Sequence, residues 1–316
     1  MRPLIVIQRQ WKIDFMRWHL PGFAFSLVLT ALTIGAFLTV GLNYGIDFVG
    51  GTLIEARTTS GPADLAGMRA KINALNLGEA SLQQFGSPTD VLIRLPQQPG
   101  GDAVQMKAIQ LMRDALGAGI EYRRVEVVGP SVGGELIRAG VLATVLALGA
   151  IMVYVWFRFE WQFGVGAMVA TLHDVLTTVG VFVIFQLEFN LTILAAILTI
   201  AGYSINDTVV IYDRMREMMR KHRTMPFREL INLALNETLS RTILTVTTVL
   251  LSVLALLIFG GEVLRGFSIA MLWGAVIGTY SSLFIAGPLL YYIQPNRRAI
   301  AKGSETTEAG AGRASR

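Results

Sequence analysis

Asp207 stands where a carboxylate is costly. The segment GYSINDTVVIYDRMRE (202–217) continues an apolar run that starts at Leu191 and holds through Ala201. The whole stretch predicts a membrane-spanning helix with an acid well inside it. A charge at that depth costs about 2.5–3.5 kcal/mol on insertion scales, so it pairs, takes up a proton or faces a watery cavity. At a rise of about 1.5 Å per residue, Asp207 lies about 10 Å before Arg214, where a basic flank begins. That places it nearer one membrane face than the midplane. Helical spacing groups Tyr203, Ser204, Asp207, Ile211 and Arg214 in one stripe, with Asn206 and Asp213 on a second polar line beside it. A helix polar on one side in lipid turns that side toward protein. Two roles fit Asp207: a titrating, coupling acid, or a structural hydrogen-bonding group that holds helices together.

Three further features carry chemistry or close packing. Arg241, in Ser240-Arg241-Thr242 at the start of a later span, is long enough to snorkel outward as a positive anchor or to reach inward toward Asp207. A nearby guanidinium favours an ionised carboxylate and apolar surroundings favour a protonated one, so making and breaking such a pair would load and release a proton. Each proton moving down the membrane potential supplies about 2.3 kcal/mol per 100 mV. Asp174, after His173, is a second intramembrane acid, on one face with Ala167, Ala170, Thr171 and Thr178. It conducts protons or ties helices, and the pattern does not separate the two; His173 reads as a packing residue. Gly266, Ala270, Gly274, Gly278, Ser282 and Ala286 recur every fourth residue, a small stripe that lets another helix approach closely. Glu262 and Arg265, at the outer edge of that span, are expected to pair at the surface.

The elements that must position these groups follow from composition. The chain has 316 residues, 53% hydrophobic, with mean hydropathy +0.54, which predicts an integral membrane protein. Without cysteine, disulfides, thiolate metal sites and thiol nucleophiles are excluded, and His19, His173 and His222 are too scattered for a histidine metal site. The net charge of +5 reflects basic segments flanking apolar spans and orients the chain; it does not point to nucleic acid. No P-loop, HExxH or GxSxG motif is present, so ATPase and hydrolase readings have no support and no covalent chemistry or cofactor is expected.

In order, residues 1–22 form a basic, aromatic interfacial segment (Arg2, Arg9, Lys12, Arg17, Trp11, Trp18) closed by Pro21-Gly22. Phe23–Leu42 is the first span, retained because it is too long for a signal-peptide core. Residues 43–136 have soluble character. Thr52–Thr58, Ala63–Leu75, Ser81–Phe85, Val91–Leu95, Gly101–Leu116 and Glu121–Val128 read as βαββαβ, the ferredoxin-like order with helices on one face of an antiparallel sheet. Residues 137–292 hold five more spans: Ile137–Phe157, Phe163–Gln186, Leu191–Tyr212, Thr242–Phe259 and Phe267–Tyr292. Between the fourth and fifth, Pro226–Leu239 is an amphipathic helix, expected along the inner surface or packed on the helix ends, either giving the same pattern. Residues 293–316 form a tail without periodicity from Gly303 onward, expected to be disordered. The basic segments, with Arg214, Arg216, Arg220, Lys221, Arg223 and Arg228 in one loop, all fall on one side. Both termini are therefore expected inside and the βαββαβ insert outside.

GIDFVGG, VGPSVGGEL, RFEWQFG, LHDV, GYSINDTVVIYDRMRE, NETLSRT and GEVLRGFSIAMLWGAVIGTYSSLFIA, in this order from Gly45 to Pro288, resemble the bacterial SecF family of protein translocase subunits. The resemblance implies a six-span inner-membrane protein with a periplasmic domain, of the resistance-nodulation-division type. It would pair with a SecD-like subunit and serve the SecYEG channel, possible further partners being YajC and YidC. The proton gradient would drive the late export of unfolded preprotein. In that family the proton path uses the aspartate of the NDT motif and the arginine of the SRT motif, here Asp207 and Arg241, with a further aspartate from SecD. The resemblance assigns Asp174 and Asp213 less firmly. Rival readings are half of a proton antiporter that exports a small hydrophobic molecule, and a purely structural stabiliser of the translocon.

Overall fold

The computed structural model describes residues 12–78 and 80–295. Arg2, Arg9 and Trp11 at the start, and the tail with Arg297, Arg298 and Lys302, lie outside the described residues. A short 3₁₀ turn, Phe15–Arg17, is capped by Asp14, whose Oδ1 accepts from Arg17 N at 3.0 Å. Helix α1 (His19–Thr39) follows directly. Pro21 and Gly22, expected to end the interfacial segment, lie inside α1; Pro21 is in its first turn, where a backbone N–H has no helical partner to lose and proline is tolerated.

After α1 come β1 (Asn43–Tyr44), α2 (Ile46–Val49), β2 (Gly51–Thr58), α3 (Leu65–Asn73), β3 (Ser81–Phe85), β4 (Ser87–Leu95), α4 (Asp102–Leu116) and β5 (Ile120–Val128). Strands β2 to β5 form one sheet in the order β3-β4-β2-β5, every neighbour antiparallel. Strand alternation decides its faces. Ile54, Ala56, Val91, Ile93 and Leu95 point to the side covered by Met68 and Ile72 of α3 and Ile109, Met112 and Leu116 of α4. Leu53, Glu55, Leu92, Arg94, Arg124 and Glu126 line a cavity on the other side. Arg57 and Asp90 are paired across β2 and β4, with Nε and Nη2 donating to the two carboxylate oxygens at 2.5 and 2.8 Å. That hydrogen-bonded guanidinium holds the Asp90 carboxyl down at about 2.

The chain then runs through α5 (Pro130–Arg158), α6 (Trp161–Ile184), β6 (Glu188–Phe189), α7 (Leu191–Lys221), α8 (Phe227–Phe259) and α9 (Gly261–Ser281). A π-helical turn, Ser282–Ala286, leads into α10 (Gly287–Ile293). Among the described residues six helices are long and apolar enough to cross a membrane. α6 and the α9–α10 helix form the inside of the bundle, while α1, α5 and α8 leave most of their apolar surface uncovered.

Two elements depart from expectation. The amphipathic segment at 226–239 is no separate helix: it is the first half of α8, continuous with the fifth span. Its apolar face (Leu230, Ile231, Ala234, Leu235) is buried against Phe15, Met16, Tyr212, Met215 and Leu290. Packing on the helix ends, the alternative the pattern left open, is what occurs. The second departure is β1, which pairs parallel with β6 through Asn43↔Glu188 and Tyr44↔Phe189. Two residues carry too little periodicity to announce a strand.

Candidate functional site

Of the two intramembrane acids, Asp174 of α6 is bonded to α7 and α9, whereas Asp207 of α7 is bonded to α8. Asp174 of α6 is fully buried. Its Oδ2 accepts from Ser204 Oγ of α7 at 2.6 Å and from Ser281 Oγ of α9 at 2.7 Å. Its Oδ1 lies 3.0 Å from His173 Nδ1. Three helices therefore meet on one carboxylate, and both of its oxygens are engaged. The face predicted from spacing, Ala167, Ala170, Thr171 and Thr178, is buried with it. His173 is not a fully satisfied packing residue: its Nε2 is buried without a partner among the described residues.

The same face of α7 continues the stitching at helical spacing. Thr208 Oγ1 and Ser282 Oγ are 2.9 Å apart, and Tyr212 Oη donates to the Ala286 carbonyl at 3.2 Å. These contacts hold the π-helical turn, where the regular ladder is interrupted and backbone groups need other partners. The small stripe on α9 makes the approach possible. A Cβ on Gly266 would stand 2.9 Å from Ile193 Cδ1 and one on Gly278 3.3 Å from Ser204 Cβ, while at Gly274 it would enter the side chain of Ile200. Ala270, Ser282 and Ala286 are fully buried.

Asp207 faces α8. Thr242 Oγ1 donates to its Oδ1 at 2.7 Å, whereas its Oδ2 is buried with no partner among the described residues. The Arg241 guanidinium lies close enough to act on this carboxylate, yet no ion pair joins them and Arg241 is exposed on the bare side of α8. Asp207 is thus half-satisfied beside a cation, at the edge of the bundle. Asn206 is exposed on the same side. Asp213, nearly two turns further along α7, is exposed and pairs with Arg158 at 3.1 Å; the structure does not bring it to Asp207. The expected polar stripe is therefore divided, with Ser204 turned inward to Asp174 and Asp207 turned to Thr242. Spacing alone missed Ser204, Ser281 and Thr242 as partners. The one available signal was the repetition of hydroxyl residues at 204, 208, 281 and 282. Among the described residues no group of three or more His, Asp or Glu side chains could hold a metal.

Residues 108–296 match the family described as protein export membrane protein SecD/SecF, C-terminal, and residues 35–61 match the SecD/SecF GG motif. The chain belongs to the SecD/SecF family. It is 46% identical over 295 residues to protein translocase subunit SecF of Rickettsia rickettsii, covering 91% of this chain and 94% of that one. The SecF subunit of Cereibacter sphaeroides is 45% identical over 304 residues, 93% of each chain. The crystal structure of SecDF, a translocon-associated membrane protein from Thermus thermophilus, superimposes with a TM-score of 0.81 at 36% identity over 92% of this chain. SecDF in a Super-membrane-facing form gives 0.67 at 37% identity over 96%. This SecD/SecF chain spans 40% of the length of the first of those SecDF chains. Its GG motif has a physical basis in the fold. Gly50 and Gly51 have φ of 76° and 123°, and a Cβ on Gly51 would stand 2.6 Å from the Leu95 carbonyl oxygen. Only glycine turns the chain there from α2 into the central strand β2.

Proposed function

We propose that this chain works as the SecF half of a SecDF assembly in the bacterial inner membrane, using the proton gradient to promote late steps of preprotein export through a SecYEG channel. No covalent chemistry is involved. The observation that carries the reading is Asp207: a carboxylate inside a spanning helix, with one oxygen bonded to Thr242, the other without a partner among the described residues, and Arg241 within electrostatic reach. An acid so placed changes its protonation when a neighbour moves, because apolar surroundings favour its neutral form and an approaching guanidinium its charged form. The exposed side of α7 and α8, with Asn206, Arg241 and Thr245, suits a pseudo-symmetric SecD-like subunit that would complete the path with its own carboxylate. YajC and YidC remain further partners suggested by the family, and unfolded preprotein is the cargo.

The orientation follows the basic loops: both termini cytoplasmic, and residues 43–136 periplasmic. The βαββαβ order and the strand sequence β3-β4-β2-β5 support a ferredoxin-like periplasmic insert. Asp207→Asn tests the whole reading in vesicles that contain the assembled complex. Gradient-dependent completion of preprotein export is expected to fall at least tenfold with assembly unchanged. Unchanged export would leave only a structural stabiliser, and loss of small-molecule efflux with normal export would favour an antiporter.

A further inference from the structure

The GG-motif segment does more than turn the chain. Residues 43–47 are sewn onto the start of α7 by the β1–β6 pairing and two further hydrogen bonds, Gly45 N donating to Phe189 O at 2.8 Å and Leu191 N donating to Asp47 Oδ2 at 2.9 Å. Leu191 is the first residue of α7, and its amide is one of the four at a helix N-terminus that lack an intrahelical partner. Asn190 serves Ile193 N at 3.1 Å and Asp47 serves Leu191, so a carboxylate from outside the helix completes its cap. The joint is tight. Phe48 stacks on Phe189 with centroids 6.0 Å apart, and a Cβ on Gly133 of α5 would stand 2.8 Å from the Phe48 carbonyl oxygen. Four residues after Asp47, the backbone becomes β2, the strand on which the outer sheet is centred. Elsewhere a polar cavity of about 550 Å³ separates the open face of that sheet from the outer ends of the helices, bridged by the Arg94–Glu188 ion pair between β4 and β6.

We infer that Asp47 is a positioning residue for energy coupling: its bond to Leu191 N transmits displacement of α7, the helix that carries Asp207, to the outer sheet. Coupling between distant sites runs through packed and hydrogen-bonded rigid elements. Here α7 is the rigid element and Asp47 is its attachment to the sheet. The inference rests on the proposed proton role of Asp207, and the test separates the two.

Asp47→Ala and Asp47→Asn are compared with Asp207→Asn in proteoliposomes that hold the full complex. Proton movement is read with a pH-sensitive dye, preprotein export in parallel, and amide exchange at 191–193 by mass spectrometry. Asp47→Ala is expected to keep proton movement within about twofold, lower gradient-dependent export at least fivefold and speed exchange at Leu191. Asp47→Asn, which still presents an oxygen to that amide, is expected to restore most export. If Asp47→Ala leaves export intact, or abolishes proton movement together with export, the transmission role is overturned. If Asp207→Asn keeps both proton movement and export, the underlying proton reading fails instead, whatever Asp47 does.

Discussion

Asp174 and Asp207 lie on neighbouring helices inside one bundle and could hardly be treated more differently. Asp174 has no exposed surface and meets two serine hydroxyls and a histidine, so that α6, α7 and α9 are pinned through it. Asp207 has one hydroxyl donor, one oxygen without a partner among the described residues, and no ion pair with Arg241. A buried carboxylate with every oxygen served is hard to disturb, because any change of state leaves several donors unpaired at about 1–3 kcal/mol each. One with an oxygen to spare can exchange a proton with little rearrangement around it. On the proposed reading Asp174 belongs to the frame and Asp207 carries the exchanged proton, a division that residue type alone does not give.

Exchanging each acid for its amide tests that division most directly. Asp207→Asn removes the exchangeable proton and is expected to abolish gradient-dependent export while thermal stability in detergent stays near that of the parent. Asp174→Asn keeps an oxygen for Ser204 and Ser281 and an amide for His173, so export is expected to stay within about threefold. Asp174→Ala is the converse case. It leaves Ser204 Oγ and His173 Nδ1 without this acceptor, while Ser281 keeps the Gly278 carbonyl, and is expected to cost at least about 2 kcal/mol, seen as a lower melting temperature and poorer recovery of assembled complex. If both amide variants lose export equally, the division is wrong and Asp174 belongs to the proton path.

The sequence makes the six spans legible because an apolar run of some twenty residues has few other uses. The antiparallel sheet is legible too, since strand alternation and glycine turns punctuate 51–128. Asp207 stands out for the same reason, as an isolated charge in an apolar run. Which way it faces does not. Ser204 and Asp207 are three residues apart and share a stripe on a helical wheel, yet one turns to α6 and the other to α8, a choice made by the helices around them. The joint at Asp47 was equally hidden: a four-residue helix and two-residue strands fall below any periodic signal, and an acid there looks like an ordinary loop residue. The amphipathic pattern stops at Leu239 and an apolar span begins at Thr242, which suggests two helices, although nothing in 227–259 breaks one.

The small stripe sharpens the comparison at lower cost. Gly274 faces Ile200, one turn before Ser204, on the Asp174 side of α7. Gly274→Val forces a branched side chain into that contact, and overpacking of this kind costs about 1–3 kcal/mol. Assembly is expected to fall, while each complex that does assemble keeps its dependence on the gradient, because Asp207 lies about two turns beyond Ile200 and is held by Thr242 of α8. Gly202 has open space around it, so Gly202→Val should leave the melting temperature of the isolated chain unchanged. Equal losses from the two substitutions would mean that the faces of α7 are not distinct.

Asp90 extends the comparison to a carboxylate on the sheet that is also fully served, by the Arg57 guanidinium together with the Ser87 hydroxyl. Its ordinary value of 3.8 falls to about 2 in the folded chain. A depressed carboxyl contributes stability that is fully present above about 3.8 and disappears as pH falls through about 2. Amide exchange at 91–93 on β4, taken relative to the intrinsic rate at the same pH, is therefore expected to quicken between those limits, and Arg57→Ala should remove most of that dependence. The effect should be the smallest of the set, because Arg57 is more than a third exposed and water screens such pairs. Export at neutral pH should not change: a carboxylate with all its donors in place serves as frame in water as it does in the membrane, and an export defect from Arg57→Ala would break that rule where it is easiest to read.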